Sequence, residues 1–502
     1  MERVVVVLDI GKTNKKIALY DQDLKLLDMN SRSFPALPLG NDLRQEQVEA
    51  IEQWLLATLK DVAATYDVRA ISVTTHGAAA VCVGENGLPA VPVIDYTCEV
   101  DEGVHTRFAS DIGSPADLQK ETLTAEIRPI INVAKLLYFT RERYPEEFAK
   151  IQHILLYPQY FAYRLTGKVW ADYTYLGCHT YLWDFEAGTW SGVVDRLAIG
   201  HLLPSTVGGP GEVAGTITPE VASATGLPPT TPVLVGVHDS NSSLIPYLLT
   251  GTGDFILNST GTWCVAMHPE NQAKLRADDI GKTVFYNRSV NNTPVKTAIF
   301  LGGLEFQVWT ELLQKLNNRK DYPDFNPALA QEILDEGSAF ILPGVVQGAG
   351  QYPTSRAALV VDGKPYDLEQ IQAGTAVPAL LSKYEKAYTV LLLSLALHTQ
   401  AALNQAGLKP GSPIYTEGKF RQTPGYNILL ANLFPENPVF ITAVEEATSF
   451  GAAILGWAAV EGKGINALAG RSAFEKSAIS PVPLKGLEAY GKKFFDLVGK
   501  KP

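Results

Sequence analysis

The sequence predicts an α/β protein of two similar domains that face one another across a cleft. Three observations carry this prediction. The chain has 502 residues, more than one hydrophobic core ordinarily organises. A strand, a glycine turn and a second strand follow one another near residue 10 and again near residue 260, one unit in each half. Between them, β-branched runs alternate with segments of helical apolar spacing, and no short period repeats, which excludes a solenoid or propeller.

The elements follow in order. Val4 to Ile10 is a continuous β-branched run, the pattern of a strand buried on both faces. A turn at Gly11 to Asn14 leads to strands over Lys16–Tyr20 and Lys25–Met29. Apolar residues at helical spacing (Val48, Ile51, Trp54, Leu55, Leu59) predict a helix over Gln45–Thr65, and Arg69–Thr75 returns to strand. The middle third reads as helical, most clearly at Asn132–Arg143 and Pro158–Leu165, and a strand is expected over Pro232–Val237. The second unit is Asp254–Ser259, a turn at Thr260-Gly261, and Thr262–Met267. A long apolar helical stretch is expected from Glu369 to Gly407. After it come strand Pro413–Thr416, helix Tyr426–Phe434, strand Val439–Thr442 and helix Glu446–Val460. The domain boundary is expected between residues 240 and 252, giving domains 1–245 and 246–502.

Bulk composition narrows the function classes. A formal charge of −11 and the lack of dense Lys/Arg runs argue against nucleic acid as a partner. The four cysteines form no CxxC pair, which suits a reducing compartment and offers neither a disulfide framework nor a structural zinc site. The apolar run that opens the chain is short, and no window approaches about 20 uninterrupted apolar residues, so no membrane association is expected and the location expected is cytoplasmic. A homodimer is left open.

Five segments could carry chemistry. In Asp9-Ile10-Gly11-Lys12-Thr13-Asn14 a tight turn exposes backbone N–H groups to phosphate oxygens, and Asp9 at the strand end suits a hydrated Mg²⁺. Lys12 is not a P-loop lysine, because the GxxxxGK[ST] frame is absent. Ser259-Thr260-Gly261-Thr262 offers similar donors. Either turn alone is explained as an ordinary hairpin; as a pair, one per half, they could cradle a nucleotide triphosphate between two domains. Asp239 ends an apolar strand and starts a helix, where a carboxylate serves either as a cap or as the base for an attacking alcohol. His76 and Gly77 close the strand ending at Thr75, at the carboxyl edge where open α/β sheets place ligands, and Tyr96 with Asp95 could offer a ring and an acceptor to a sugar.

Five segments in this order resemble the FGGY carbohydrate kinases, within the actin/hexokinase/Hsp70 superfamily. They are LDIGKTNKKIALYD from residue 8, NVAKLL to RLTG over residues 132–167, GEVAGT to GVHDS over 211–240, NSTGTWCVAM from 258, and ATSFGAAILGW from 447. The resemblance implies two ribonuclease-H-like, actin-like ATPase domains flanking a catalytic cleft, with ATP and Mg²⁺ as cofactors and a small sugar as substrate. It places the catalytic base on Asp239 and the first phosphate and metal contacts on Asp9, Lys12, Thr13 and Asn14. It places the γ-phosphate turn on Thr260, Gly261 and Thr262, and adenosine contacts on Gly418, Gly303 and Gln307. The loop Thr74-Thr75-His76-Gly77 and the Gly261–Trp263 triplet are similar to L-fuculokinases and L-rhamnulokinases. His76 and Ala79 stand where those enzymes tend to carry an aromatic and an acid, Val100 where the family has an arginine, and Thr416-Glu417-Gly418-Lys419 where many members have three glycines. The activity implied is transfer of the γ-phosphate to a hydroxyl of a ketose or polyol. A catalytically silent sugar sensor or scaffold on the same fold is the competing reading, and a chaperone or filament ATPase is a third.

Overall fold

The computed structural model describes residues 1–347 and 349–499. The first half opens with β1 (Arg3–Ile10), β2 (Asn14–Tyr20), β3 (Leu26–Ser33), α1 (Val48–Thr65) and β4 (Asp67–Thr75). It continues through α2 (Val133–Arg143), α3 (Tyr157–Thr166), the single turn α4 (Tyr173–Leu176), β5 (Val213–Thr216), β6 (Pro232–Leu234), β7 (Val237–His238) and α5 (Asp239–Leu248). The second half contains β8 (Ile256–Thr260), β9 (Cys264–Pro269), β10 (Val284–Arg288), β11 (Pro294–Phe300), α6 (Gly302–Asn317) and α7 (Tyr384–Gln405). It ends with β12 (Ile414–Gly418), α8 (Pro424–Leu433), β13 (Val439–Thr442), α9 (Ala447–Glu461) and β14 (Lys476–Ile479).

Two seven-stranded sheets result, ordered β5-β6-β4-β1-β2-β3 with β7 also beside β4, and β10-β11-β9-β8-β12-β13-β14. They share one strand pattern. In the first, β3, β2 and β1 run antiparallel and β4 and β6 join parallel to β1. In the second, β11, β9 and β8 run antiparallel and β12 and β13 join parallel to β8. The fold is therefore two actin-like, ribonuclease-H-like domains.

The continuous apolar run of β1 has a packing reason. Val4, Val6, Leu8 and Ile10 face the cluster that contains Ile51, Leu55 and Leu59 of α1, while Val5 and Val7 face Ala452, Ala453 and Ile454 of α9. Helix α9 belongs to the second half of the chain yet covers the first sheet. Helix α5 does the reverse, packing Leu244 and Tyr247 against Leu257, Met267 and Tyr415 of the second sheet. The two helices cross closely. A Cβ at Gly451 would lie 1.9 Å from the Ser242 carbonyl oxygen, and one at Gly456 would lie 2.4 Å from Val5 Cγ1. Gly451→Ala is therefore expected to destabilise the protein by about 1–3 kcal/mol. Urea unfolding at an unchanged midpoint would show that the crossing relaxes freely.

Two expected elements are broken. The helical stretch from Glu369 to Gly407 is a short helix, Leu368–Gln372, and then α7, because Gly374 at φ 73° and Pro378 interrupt it. The strand expected over Pro232–Val237 splits into β6 and β7 around Gly236, whose φ of 101° is a glycine conformation. Strands β10 and β11 had no counterpart in the sequence reading. Among the described residues, no helix is long and apolar enough to cross a membrane.

Candidate active site

Strand register brings the first group of candidates together. Ile10 and His238 both pair with Thr75, so β1, β4 and β7 end side by side, and Asp9, His76 and Asp239 reach the same carboxyl edge. A cavity of about 250 Å³ opens there, lined by Asp239, His76, Gly77, Tyr96 and Lys12. Thr262, from the turn between β8 and β9, reaches the same cavity from the other domain. Phe285, Asn287 and Ile299 of β10 and β11 complete the wall.

Asp239 keeps 31% of its side chain exposed, enough to meet a ligand. Its Oδ1 accepts from the Ser240 N–H at 2.7 Å and lies 3.3 Å from His238 Nε2. Asn241 Nδ2 donates to His238 Nδ1 at 3.2 Å, which leaves the ring hydrogen on Nε2, facing the carboxylate. Burial pushes the His238 pKa down to about 3, so the ring is neutral and stands beside Asp239 without adding charge. His238 lies inside the Gly236–Ser240 motif without a role legible from sequence, and its neighbour in space, Gly77, shows why the motifs belong together. A Cβ on Gly77 would lie 2.7 Å from His238 Nε2.

Burial raises the Asp239 pKa, while His76 and the Ser240 hydrogen bonds pull it down. A base must be unprotonated to accept a proton. With Asp239 as the base, activity is expected above this raised value and is expected to be lost as pH falls through it, with the acid limb lying above the ordinary carboxylate range. A rate profile that stays flat down to about pH 4 would contradict this.

Asp9 is buried at the end of β1, and burial pushes its pKa up to about 7, with Lys16 opposing and Asp239 and Glu446 adding to the rise. Lys16 is ion-paired with Glu446 just before α9, an acidic neighbour the sequence did not single out. Among the described residues, no cluster of three or more His, Cys, Asp or Glu is arranged to hold a metal. The local set fits Mg²⁺ in its usual manner, one or two carboxylates with the remaining oxygens supplied by phosphate and water.

A second cavity, about 1090 Å³, lies on the C-terminal domain, with Gly303, Gln307, Phe306, Tyr322, Lys419 and Phe420 among its lining residues. Gly303, near the N-terminus of α6, abuts the turn of the second phosphate motif. A Cβ there would sit 1.8 Å from the Gly261 carbonyl oxygen. The helix thereby presents its positive end beside that turn. Gly418, at φ 76°, has the same kind of constraint, since a Cβ would lie 2.2 Å from the Thr260 carbonyl oxygen. It does not line the cavity, but Lys419 and Phe420 beside it do.

The structure places five candidates of the two turns as follows. The Thr260 hydroxyl donates to the Glu417 carbonyl and accepts from the Phe420 N–H at 2.9 Å, so it ties β8 to β12 and is not free for phosphate. The Gly261 N–H is also engaged, donating to the Trp263 carbonyl at 3.0 Å, which leaves Thr262 as the exposed donor of this turn. Lys12 is held by Glu46 and, at 2.8 Å, by Asp95, with its Nζ 4.8 Å from the centre of the Tyr96 ring, so it belongs to the sugar-side cavity. Thr13 and Asn14 are exposed at the first turn and line neither cavity.

A carboxylate poised beside a sugar-sized cavity, with a nucleotide-sized cleft on the facing actin-like domain, is the layout of a carbohydrate kinase. The comparisons with known proteins agree. Residues 4–246 match the N-terminal domain of the FGGY family of carbohydrate kinases, and residues 252–464 match the carbohydrate kinase FGGY C-terminal domain. The chain belongs to this family and is a phosphotransferase with an alcohol group as acceptor. It is similar to a gluconokinase of Bacillus subtilis, 22% identical over 495 residues, covering 91% of this chain and 87% of the relative. A rhamnulokinase of Pectobacterium atrosepticum is 26% identical over 266 residues, 52% of this chain and 51% of the relative. Among solved structures, a carbohydrate kinase from Novosphingobium aromaticivorans superposes with a TM-score of 0.78 at 26% identity, covering 99% of this chain and 98% of the other.

Proposed function

We propose that this kinase transfers the γ-phosphoryl group of ATP to a hydroxyl of a ketose, L-fuculose- or L-rhamnulose-like or a pentulose, or of a polyol. One observation carries the assignment of roles: Asp239, His76, Gly77 and Tyr96 share a single cavity that Thr262 reaches from the opposite domain. In this reading residues 1–245 supply most sugar contacts and residues 246–502 hold the nucleotide, with Gly303 and Gln307 in the adenosine cleft. The acceptor hydroxyl oxygen forms a bond to the γ-phosphorus as the bond from that phosphorus to the β–γ bridging oxygen breaks. Asp239 takes the hydroxyl proton, and ADP leaves. Asp9 would hold magnesium, which when bound would offset the phosphate charge. His238 keeps the Asp239 carboxylate turned toward the acceptor.

The test is ADP formation with purified protein across ketopentoses, 6-deoxyketohexoses and polyols. Acceleration by at least one acceptor, with one phosphosugar formed per ADP, is expected. Sugar binding without turnover would favour the silent sensor, and sugar-independent ATP hydrolysis would favour an ATPase of the same superfamily.

A further inference from the structure

Helix α5 carries Asp239 at its first position, and Ser243 and Tyr247 follow at intervals of four, so the three residues line one face of the helix. The far end of that face is tied to the second domain. The Tyr247 hydroxyl donates to Glu417 Oε2 at 2.9 Å and lies 2.8 Å from Thr442 Oγ1 of β13. The Ser243 hydroxyl also stands beside the Glu417 carboxylate. Tyr247 and Glu417 are both buried, so water does not replace these partners.

The same carboxylate reaches the nucleotide side. Glu417 pairs with Ser259 in the parallel register of β8 and β12, and the Ser259 hydroxyl is its third neighbour. Ser259 directly precedes the turn at Thr260 to Thr262, and Gly418, next to Glu417, abuts the Thr260 carbonyl. Just beyond, Lys419 and Phe420 line the larger cavity. Burial pushes the Glu417 pKa up to about 6, while the Ser259, Tyr247 and Ser243 hydroxyls and the charge of Arg421 oppose the rise. A carboxylate is costly to bury unless its hydrogen bonds are met, and here hydroxyls of the base-bearing helix and of the phosphate turn's strand meet them together.

Resting on the kinase reading above, with Asp239 as the base, we infer that Glu417 is a positioning residue: its carboxylate fixes the Asp239-bearing face of α5 against the turn proposed for the γ-phosphate. The base comes from one domain and that turn from the other, so their separation is set by the contacts between domains. A displacement of about 1 Å there lowers the rate without removing any contact to sugar or nucleotide. The main-chain ties of the turn do not depend on this side chain, because Thr260 donates to the Glu417 carbonyl.

The test combines steady-state ADP formation, using an accepted ketose, with calorimetric titration of MgADP. Glu417→Ala is expected to lower kcat about 10- to 100-fold, with the sugar KM and MgADP affinity within about threefold of wild type. Glu417→Gln can still accept from Tyr247 and can donate to the two serines, so its kcat is expected to return to within about threefold of wild type. Tyr247→Phe cuts the tie from the helix side, with an expected loss in kcat of about tenfold, and decides the matter if Glu417→Ala fails to fold. In an Asp239→Asn background, Glu417→Ala is expected to cost less than about threefold more, because the group it positions is already gone. Full kcat in folded Glu417→Ala or in Tyr247→Phe overturns the inference and leaves the kinase reading intact. So does a Gln variant as slow as the Ala variant, or an undiminished loss in the Asp239→Asn background. Near-normal turnover by Asp239→Asn alone overturns the assignment of the base on which the inference rests.

Discussion

Asp239→Asn is expected to lower kcat by at least about 10²-fold and to leave nucleotide binding close to wild type. The substitution keeps the shape of the side chain and removes its capacity to take a proton. The supports around it remain, since the Ser240 N–H at 2.7 Å and His238 Nε2 at 3.3 Å can still face the amide oxygen. The cavity proposed for the nucleotide is lined by other residues, Gly303, Gln307 and Phe420 among them, so nucleotide affinity is expected to stay. Steady-state ADP formation gives the first quantity and calorimetric titration with MgADP the second. Near-normal turnover would remove Asp239 from the chemistry. A parallel loss of nucleotide binding would mean that the substitution disturbs the domain arrangement and not the proton transfer alone.

Gly303→Ala is expected to reduce kcat/KM for ATP about 10²-fold while changing the KM for the sugar far less. The added methyl carbon would sit 1.8 Å from the Gly261 carbonyl oxygen and 3.1 Å from Thr262 Cα, both of them main-chain atoms that no rotamer change can clear. Helix α6 or the turn must retreat, and the positive end of the helix moves away from the place proposed for the phosphates. The sugar cavity keeps its N-terminal wall. The split between the two KM values distinguishes this local displacement from general unfolding, which would lower the active fraction without changing either. A variant with wild-type ATP kinetics would show that the approach of α6 to this turn does not position the nucleotide.

Much of the fold could be read from the sequence because its landmarks are local. A β-branched run such as Val4–Ile10 has one use in a globular protein, the middle of a sheet covered on both faces, and the glycine turns after it and after Thr260 punctuate both halves. The ends of β1, β4 and β7 carry Asp9, His76 and Asp239 within short motifs, so parallel pairing alone assembles them. What escaped depends on partners distant in the chain. Nothing near Phe285, Asn287 or Ile299 distinguishes a cavity wall from ordinary core, and their strands pair only with each other and with β9. The ties of Thr260 to Glu417 and Phe420 cross more than 150 residues, and the pairing of Lys12 with Glu46 and Asp95 becomes visible only when those carboxylates fold onto the first turn. The exchange of α5 and α9 between the two sheets is likewise tertiary, although Gly451 and Gly456 were present in the final motif as its trace.

The most direct test of the whole account is a crystal structure of the wild-type protein with an accepted ketose and a non-hydrolysable MgATP analogue. The expected result places one sugar hydroxyl about 2.6–3.2 Å from the Asp239 carboxylate, with the terminal phosphate beyond it near Thr262. A sugar bound outside this cavity, or an Asp239 side chain turned away from every sugar hydroxyl, would contradict it.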